Sequence, residues 1–244
     1  MAEAAMERIC EPELMDDPDQ ARIYAEADFA VSDAALVKRI VAFAAPEGLG
    51  ARVLDLGCGP GNISFRLAAA LPQAALLQAV LPQACVLGVD GAAAMLELAE
   101  QRRCSDPVRW SQLHFQRACL PLAPGALESL PAPFAPPYSS IVSNSLLHHL
   151  HDPAVLWRSV SQLAAPGALV VVRDLRRPPD PQTLAALVER HAAAAHPLLR
   201  RDFANSLAAA FRPEEVEAQL LAAGLTRLSV TLQEDRYLEV SGRL

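Results

Sequence analysis

Apolar runs of strand length alternate along most of the chain with alanine-, leucine- and glutamate-rich stretches of helical length, and that alternation admits few architectures. Strands are expected at 51–56, 85–90, 108–115, 139–144, 168–173, 225–232 and 236–242, with helices near 61–71, 92–103, 153–164, 181–195 and 213–223. A strand, a helix and a further strand in series build a parallel sheet covered on both faces, because each crossover must run along a face. Only Gln233, Glu234 and Asp235 separate the last two strands, which therefore read as a hairpin. The expected fold class is α/β: a doubly wound, mostly parallel seven-stranded sheet with an antiparallel edge strand. Residues 1–50 carry helical stretches at 19–28 and 33–45, the second capped by Ser32, and are expected to form an N-terminal helical lid over a domain spanning 51–244. The six prolines within 120–137 mark a surface connection.

Composition narrows the partners. At 244 residues and 52% hydrophobic the chain can bury a full core, and 28 acidic against 21 basic side chains oppose non-specific attraction to nucleic acid or anionic membranes. Residues 67–89 hold no formal charge, yet Pro72, Pro82 and three glutamines make them a poor membrane span. The same stretch contains a tandem repeat, LPQAALLQAV at 71–80 and LPQACVLGVD at 81–90, whose extra copy reads as added helix or surface loop. Five scattered cysteines without a CxxC imply a reduced, cytoplasmic protein with neither disulfides nor a cysteine zinc site, and the N-terminus reads as carrying no signal peptide.

The segment VLDLGCGPGN, residues 53–62, carries the most chemistry: a strand ending in Asp55, then Gly57, Gly59 and Gly61 opening a helix. Glycines there let the backbone turn sharply and approach a nucleotide-like ligand. A dinucleotide fingerprint wants glycine at 57, 59 and 62, whereas position 62 is Asn62, and no Gly-Lys-Ser/Thr follows to make a P-loop. A second carboxylate, Asp90, ends the next strand in LGVDGAAAML, where it can hold both hydroxyls of a ribose or cap the following helix.

This segment resembles motif I of the class I S-adenosylmethionine-dependent methyltransferases, and the likeness to that Rossmann-like fold runs over roughly residues 50–242. The leader EPELMDDPDQARIYAEADF looks like that of a small bacterial subgroup, of the small-molecule type 11/25-like kind. The resemblance implies S-adenosyl-L-methionine as cofactor, with Asp55, Gly57, Gly59 and Gly61 around its methionine part, Cys58 and Asn62 as further cofactor contacts and Asp90 on its ribose. It extends that set to Gly91 and Met95, to Cys119 in FQRACLPL where the family often has an acid near adenine, and to Asn144. Cys58 and Cys119 read as small buried apolar residues, with reactive thiols as the alternative.

The acceptor side is less defined. SNSLLHHLHDP, residues 143–153, lacks the polar-Pro-Pro-aromatic pattern of nucleic-acid amino-methyltransferases, and the APPY at 135–138 precedes the strand. His148 or His149 is a candidate proton acceptor, whereas adjacent histidines should point to different sides, so no metal site is expected. HPLLRRDFANSL, residues 196–207, breaks an alanine-rich helical region and offers Arg200 and Arg201 to an anionic acceptor. Tyr24 and Asp28 of the leader could close over that acceptor. The expected function is methyl transfer to a small metabolite, an anionic one if the arginines bind it. The alternatives are a catalytically inactive cofactor-binding partner or sensor and, disfavoured by Asn62, a nicotinamide-dependent reductase.

Overall fold

The computed structural model describes residues 6–71 and 84–244. The extra copy of the tandem repeat therefore lies outside the described residues, apart from Leu71. Seven strands, β1 (Arg52–Leu56), β2 (Cys85–Asp90), β3 (Leu113–Arg117), β4 (Tyr138–Asn144), β5 (Ala164–Leu175), β6 (Ser229–Gln233) and β7 (Tyr237–Arg243), form one sheet in the order β3-β2-β1-β4-β5-β7-β6. β1 to β5 are parallel, and β7 runs antiparallel between β5 and β6. The hairpin thus sits at the sheet edge as expected, with the later strand docking first.

The helices are α1 (Pro18–Glu26), α2 (Ala30–Ala44), α3 (Asn62–Ala70), α4 (Ala93–Ser105), α5 (Ala154–Leu163), α6 (Pro181–Ala192), α7 (Pro197–Ala209) and α8 (Pro213–Ala222). Successive strand residues point to opposite faces, so neighbours enter different cores. Val53, Val86 and Val142 pack with Leu36 and Ile40 of α2 and with Phe65 of α3. Leu54, Leu87 and Ile141 pack instead with Trp157 of α5 and with Val216 and Leu220 of α8. The sheet is doubly wound, and α2 belongs to one of its layers. α1 packs instead through Ala21 and Tyr24 against Ala92 and Met95 at the start of α4.

Three local expectations give way. α2 begins at Ala30, whose N–H donates to Asp28 Oδ1 at 3.0 Å, so Ser32 lies inside the first turn rather than capping it. β3 begins at Leu113, not 108, because Asp106 draws the backbone of Arg109 and Trp110 into turns and leaves Val108 exposed. Residues 197–209 form a helix instead of a break: Pro197 occupies its first turn, where no N–H is needed, and His196 Nδ1 accepts the Leu198 N–H at 3.2 Å. Among the described residues no helix is long and apolar enough to cross a membrane.

Candidate functional site

The strand order reverses between β1 and β4, and in open α/β sheets ligands bind outside the carboxyl ends of the strands at that point. A cavity of about 1210 Å³ lies there. Its floor is the glycine loop. The N–H groups of Gly57 and Cys58 both donate to the Val89 carbonyl, at 2.8 and 3.0 Å, and pin the loop to the end of β2. One Asp90 carboxylate oxygen accepts the Gly59 N–H and the other the Ala92 N–H, each at 2.8 Å. A single side chain thus ties the loop to the start of α4 while bordering the cavity. Burial pushes the Asp90 carboxyl above the usual range, against the pull of these backbone hydrogen bonds.

The three glycines do different things. All have positive φ, at 70°, 52° and 82°. A Cβ on Gly57 would lie 2.8 Å from Leu146, and one on Gly61 2.8 Å from Phe115 and 2.9 Å from Phe65. Those two glycines are required by protein packing, and Gly61 does not border the cavity. A Cβ on Gly59 would meet no protein atom within 4 Å: it would project into open space where the loop borders the cavity. Beneath the loop Asp55 is 1% exposed and accepts from Ser64 Oγ at 2.5 Å. Burial pushes its carboxyl up to about 7, partly countered by Ser64 and reinforced by Asp90.

The side wall combines the leader and the ends of β2 and β3. Tyr24, stacked near Phe29 with ring centroids 5.0 Å apart, borders the cavity with Met95, Gly91 and Cys119. Burial raises the Tyr24 hydroxyl well above its ordinary range. Cys119 is exposed toward this space rather than buried, because β3 ends two residues earlier and Gly91 offers no side chain to cover its sulfur. Cys58 is buried as expected, and burial drives its thiol well up.

The far end holds residues that the sequence reading passed over. Arg173 of β5, 5% exposed, donates from Nε to Asn144 Oδ1 at 2.9 Å and from its other nitrogens to the Ser32 carbonyl and hydroxyl at 3.3 and 3.2 Å. Its guanidinium lies 4.6 Å from the Tyr237 ring centre. Its cross-strand neighbour Glu239 is taken by Arg39 at 2.6 and 3.1 Å, and among the described residues no carboxylate forms an ion pair with Arg173. Asp33, which also borders the cavity, is held above the usual carboxylate range by burial, opposed by Arg66 and Arg173.

Beside them the histidines converge instead of diverging. A 3₁₀ turn at Leu147–His149 stacks the two rings with centroids 4.2 Å apart, since successive residues of so short a turn do not alternate as in a strand. His148 Nδ1 lies 2.5 Å from Asp174 Oδ1 and its Nε2 lies 3.4 Å from Glu11, while His149 Nδ1 is 3.2 Å from the same Glu11 oxygen. Burial disfavours charge on His148, but Asp174 and Glu11 outweigh it and raise its pKa. Burial and the neighbouring His148 push His149 down to about 3. His151 points elsewhere, to the Glu11 carbonyl at 2.8 Å.

The cavity thus gathers Tyr24, Asp55, Gly57, Cys58, Gly59 and Asn62 with Asp90, Gly91, Met95 and Cys119, and also Asn144, His148 and His149. Arg201 is not among them. It is exposed and pairs with Asp202 at 2.9 Å, and Arg200 pairs with Glu189 at 2.6 Å, because the helix carrying them presents Phe203 and Asp202 to the cavity instead. Asp174 could have been found by the rule that singled out Asp55 and Asp90, an acid at the carboxyl end of a strand; Glu11 gave no such signal.

A family model described as a methyltransferase domain matches residues 29–230. An uncharacterized methyltransferase of Mycobacterium tuberculosis is 30% identical over 120 residues, 49% of this chain and 48% of that protein, so the chain spans about half the length of such curated relatives. A trans-aconitate 2-methyltransferase of Methylobacterium nodulans is 30% identical over 233 residues, 93% of this chain and 69% of the relative. Among solved structures, a SAM-dependent methyltransferase from Aquifex aeolicus shares the fold at TM-score 0.59 and 15% identity, covering 93% of this chain and 98% of that one. The plantazolicin methyltransferase BamL, solved with S-adenosylhomocysteine, does so at TM-score 0.66 and 12% identity over 93% and 91%.

Proposed function

The chain belongs to the methyltransferase-domain family, and from that premise we propose that it moves a methyl group from S-adenosylmethionine to a small anionic metabolite. One observation carries the cofactor half: Gly59 leaves open the space beside the Asp90 carboxylate, at the end of the adjacent strand, into which a Cβ would project. Gly57, Cys58, Gly59 and Asn62 would border the methionine part, Asp90 would accept from the ribose hydroxyls, and Gly91, Met95 and Cys119 would flank the base. Bound there, the cofactor supplies an electrophilic methyl on a sulfonium whose leaving group departs neutral. The chain's task is then to place the acceptor in line and keep water out. Neither histidine suits a proton acceptor: His148 is committed to Asp174 and Glu11, and burial strips His149 of basicity.

Arg173 supports the anionic acceptor. A buried guanidinium that forms no ion pair among the described residues is costly unless something negative meets it, and this one borders the cavity beside Asn144. The trans-aconitate methyltransferase relative adds weight to a carboxylate-bearing acceptor. The leader up to α1, with Tyr24, would close the chamber as its lid. Five free cysteines favour the cytoplasmic compartment.

Turnover of S-adenosylmethionine to S-adenosylhomocysteine, assayed with trans-aconitate and other di- and tricarboxylates, tests the reading. Arg173→Leu should raise KM for such an acceptor at least tenfold while S-adenosylhomocysteine affinity stays within about threefold, as expected where a charged hydrogen bond contributes about 1.5–3 kcal/mol. An unchanged KM removes Arg173 from acceptor binding.

A further inference from the structure

We propose that Glu11, His148 and His149 form a binding site for one divalent transition cation of the zinc class, opening onto the cavity. The three donor atoms are His148 Nε2, His149 Nδ1 and a Glu11 carboxylate oxygen, all within 4.8 Å of one another. The carboxylate oxygen stands 3.4 Å from the first nitrogen and 3.2 Å from the second. Tetrahedral coordination with bonds of about 2.0–2.1 Å sets neighbouring donors about 3.3–3.4 Å apart, so both edges already have the needed length.

The surroundings are those of a built site. Asp174 holds His148 by the other ring nitrogen at 2.5 Å and is itself held by the N–H groups of Leu147 and Leu175, each at 2.6 Å. A carboxylate in that position orients a metal-binding imidazole and leaves Nε2 directed at the cation. Ser206 Oγ donates to Glu11 at 3.0 Å and fixes the third donor. An ion pair with Glu11 needs one imidazole. Here two converge on a single oxygen, their rings tilted by 34° with centroids 4.2 Å apart, and His149 Nδ1 also lies 3.4 Å from the Pro12 carbonyl. Two imidazoles and one carboxylate suit zinc, iron(II) or cobalt(II) rather than the oxygen-seeking magnesium or calcium. Three protein donors leave a fourth position open, and both histidines border the cavity, so that position faces the chamber.

The test uses the full chain after dialysis against EDTA. Zinc is titrated against a competing chromophoric chelator, and cobalt(II) is followed by its visible absorption. The expected result is one equivalent bound by the wild type, affinity at least a hundredfold weaker in His149→Ala and in Glu11→Gln, and an unchanged affinity in His114→Ala, whose ring packs against Phe134. Asp174→Asn should weaken binding about 10–100-fold, the range seen when a carboxylate behind a metal-binding histidine is removed. Absence of stoichiometric zinc binding by the wild type overturns the proposal, as does undiminished binding in His149→Ala. If Glu11→Gln does not fold, anomalous scattering from zinc-soaked wild-type crystals decides: a peak between the three residues supports the site and none overturns it. S-adenosylhomocysteine titrated into the same zinc-free sample reports on the cofactor reading independently.

Discussion

Replacing Gly59 or Gly61 by alanine adds the same methyl group two residues apart, and the structure assigns the two changes opposite consequences. Both residues sit at positive φ, 52° and 82°, where a side chain costs about 1–2 kcal/mol. For Gly59 nothing is added, since its Cβ would meet no atom within 4 Å. For Gly61 the Cβ would press on the Phe115 and Phe65 rings at 2.8 and 2.9 Å, and such overpacking adds about 1–3 kcal/mol. At about 2–4 °C per kcal/mol for a chain of this size, Gly59→Ala should lower Tm by about 2–8 °C and Gly61→Ala by about 4–20 °C. Cofactor affinity should rank the other way. Gly59→Ala places its methyl in the cradle and should weaken S-adenosylhomocysteine at least tenfold, about 1.4 kcal/mol, and Gly59→Val should abolish binding. Folded Gly61→Ala should bind within about threefold of wild type. Thermal melts and calorimetry below both transitions measure the pair. Wild-type affinity in Gly59→Ala, or a stable Gly61→Ala that no longer binds, would refute the division of labour within the loop.

Asp90→Ala removes an acceptor that also secures the Gly59 and Ala92 amides, and S-adenosylhomocysteine affinity measured by calorimetry should fall by about 1–3 kcal/mol. Asp55 gives a pH signature. Its carboxyl is raised from 3.8 to about 7 in the folded protein, so the native state holds a proton that the unfolded chain releases, and stability is lost as pH rises through that window. The effect is at most about 4 kcal/mol at 1.36 kcal/mol per pH unit. Asp55→Asn, which can still accept from Ser64, should therefore gain on the wild type in denaturant midpoint between pH 5 and 8; a difference independent of pH would mean that Asp55 is already ionised.

The sheet was legible because its signal is local: short valine- and leucine-rich runs such as VLDL and LVVVR, with turn residues at their ends, read as central strands buried on both faces. The loop proposed to hold the cofactor was legible for the same reason, since Asp55, the glycines and Asp90 sit at strand ends that topology brings together. The acceptor side was not. Arg201 and Arg173 look alike in sequence, and only the partners at hand, Asp202 for one and Asn144 and Ser32 for the other, separate a solvated ion pair from a buried cation with no carboxylate pair among the described residues. The inward turn of His149 toward Glu11 depends on a segment 138 residues away and leaves no periodic trace. Ser32 failed as a cap because Asp28, four residues earlier, reached the backbone first.

Arg8 reaches from the leader to the carbonyls of His148, Leu150 and Ala209, at 2.9, 2.9 and 2.6 Å, and lies 3.9 Å over the Phe211 ring. The segment around Arg8 is thus held by partners 140 to 201 residues further along the chain. Contacts of such long sequence separation repay their loop-closure entropy only after much of the fold is in place, so this rim of the chamber is expected among the last parts to settle.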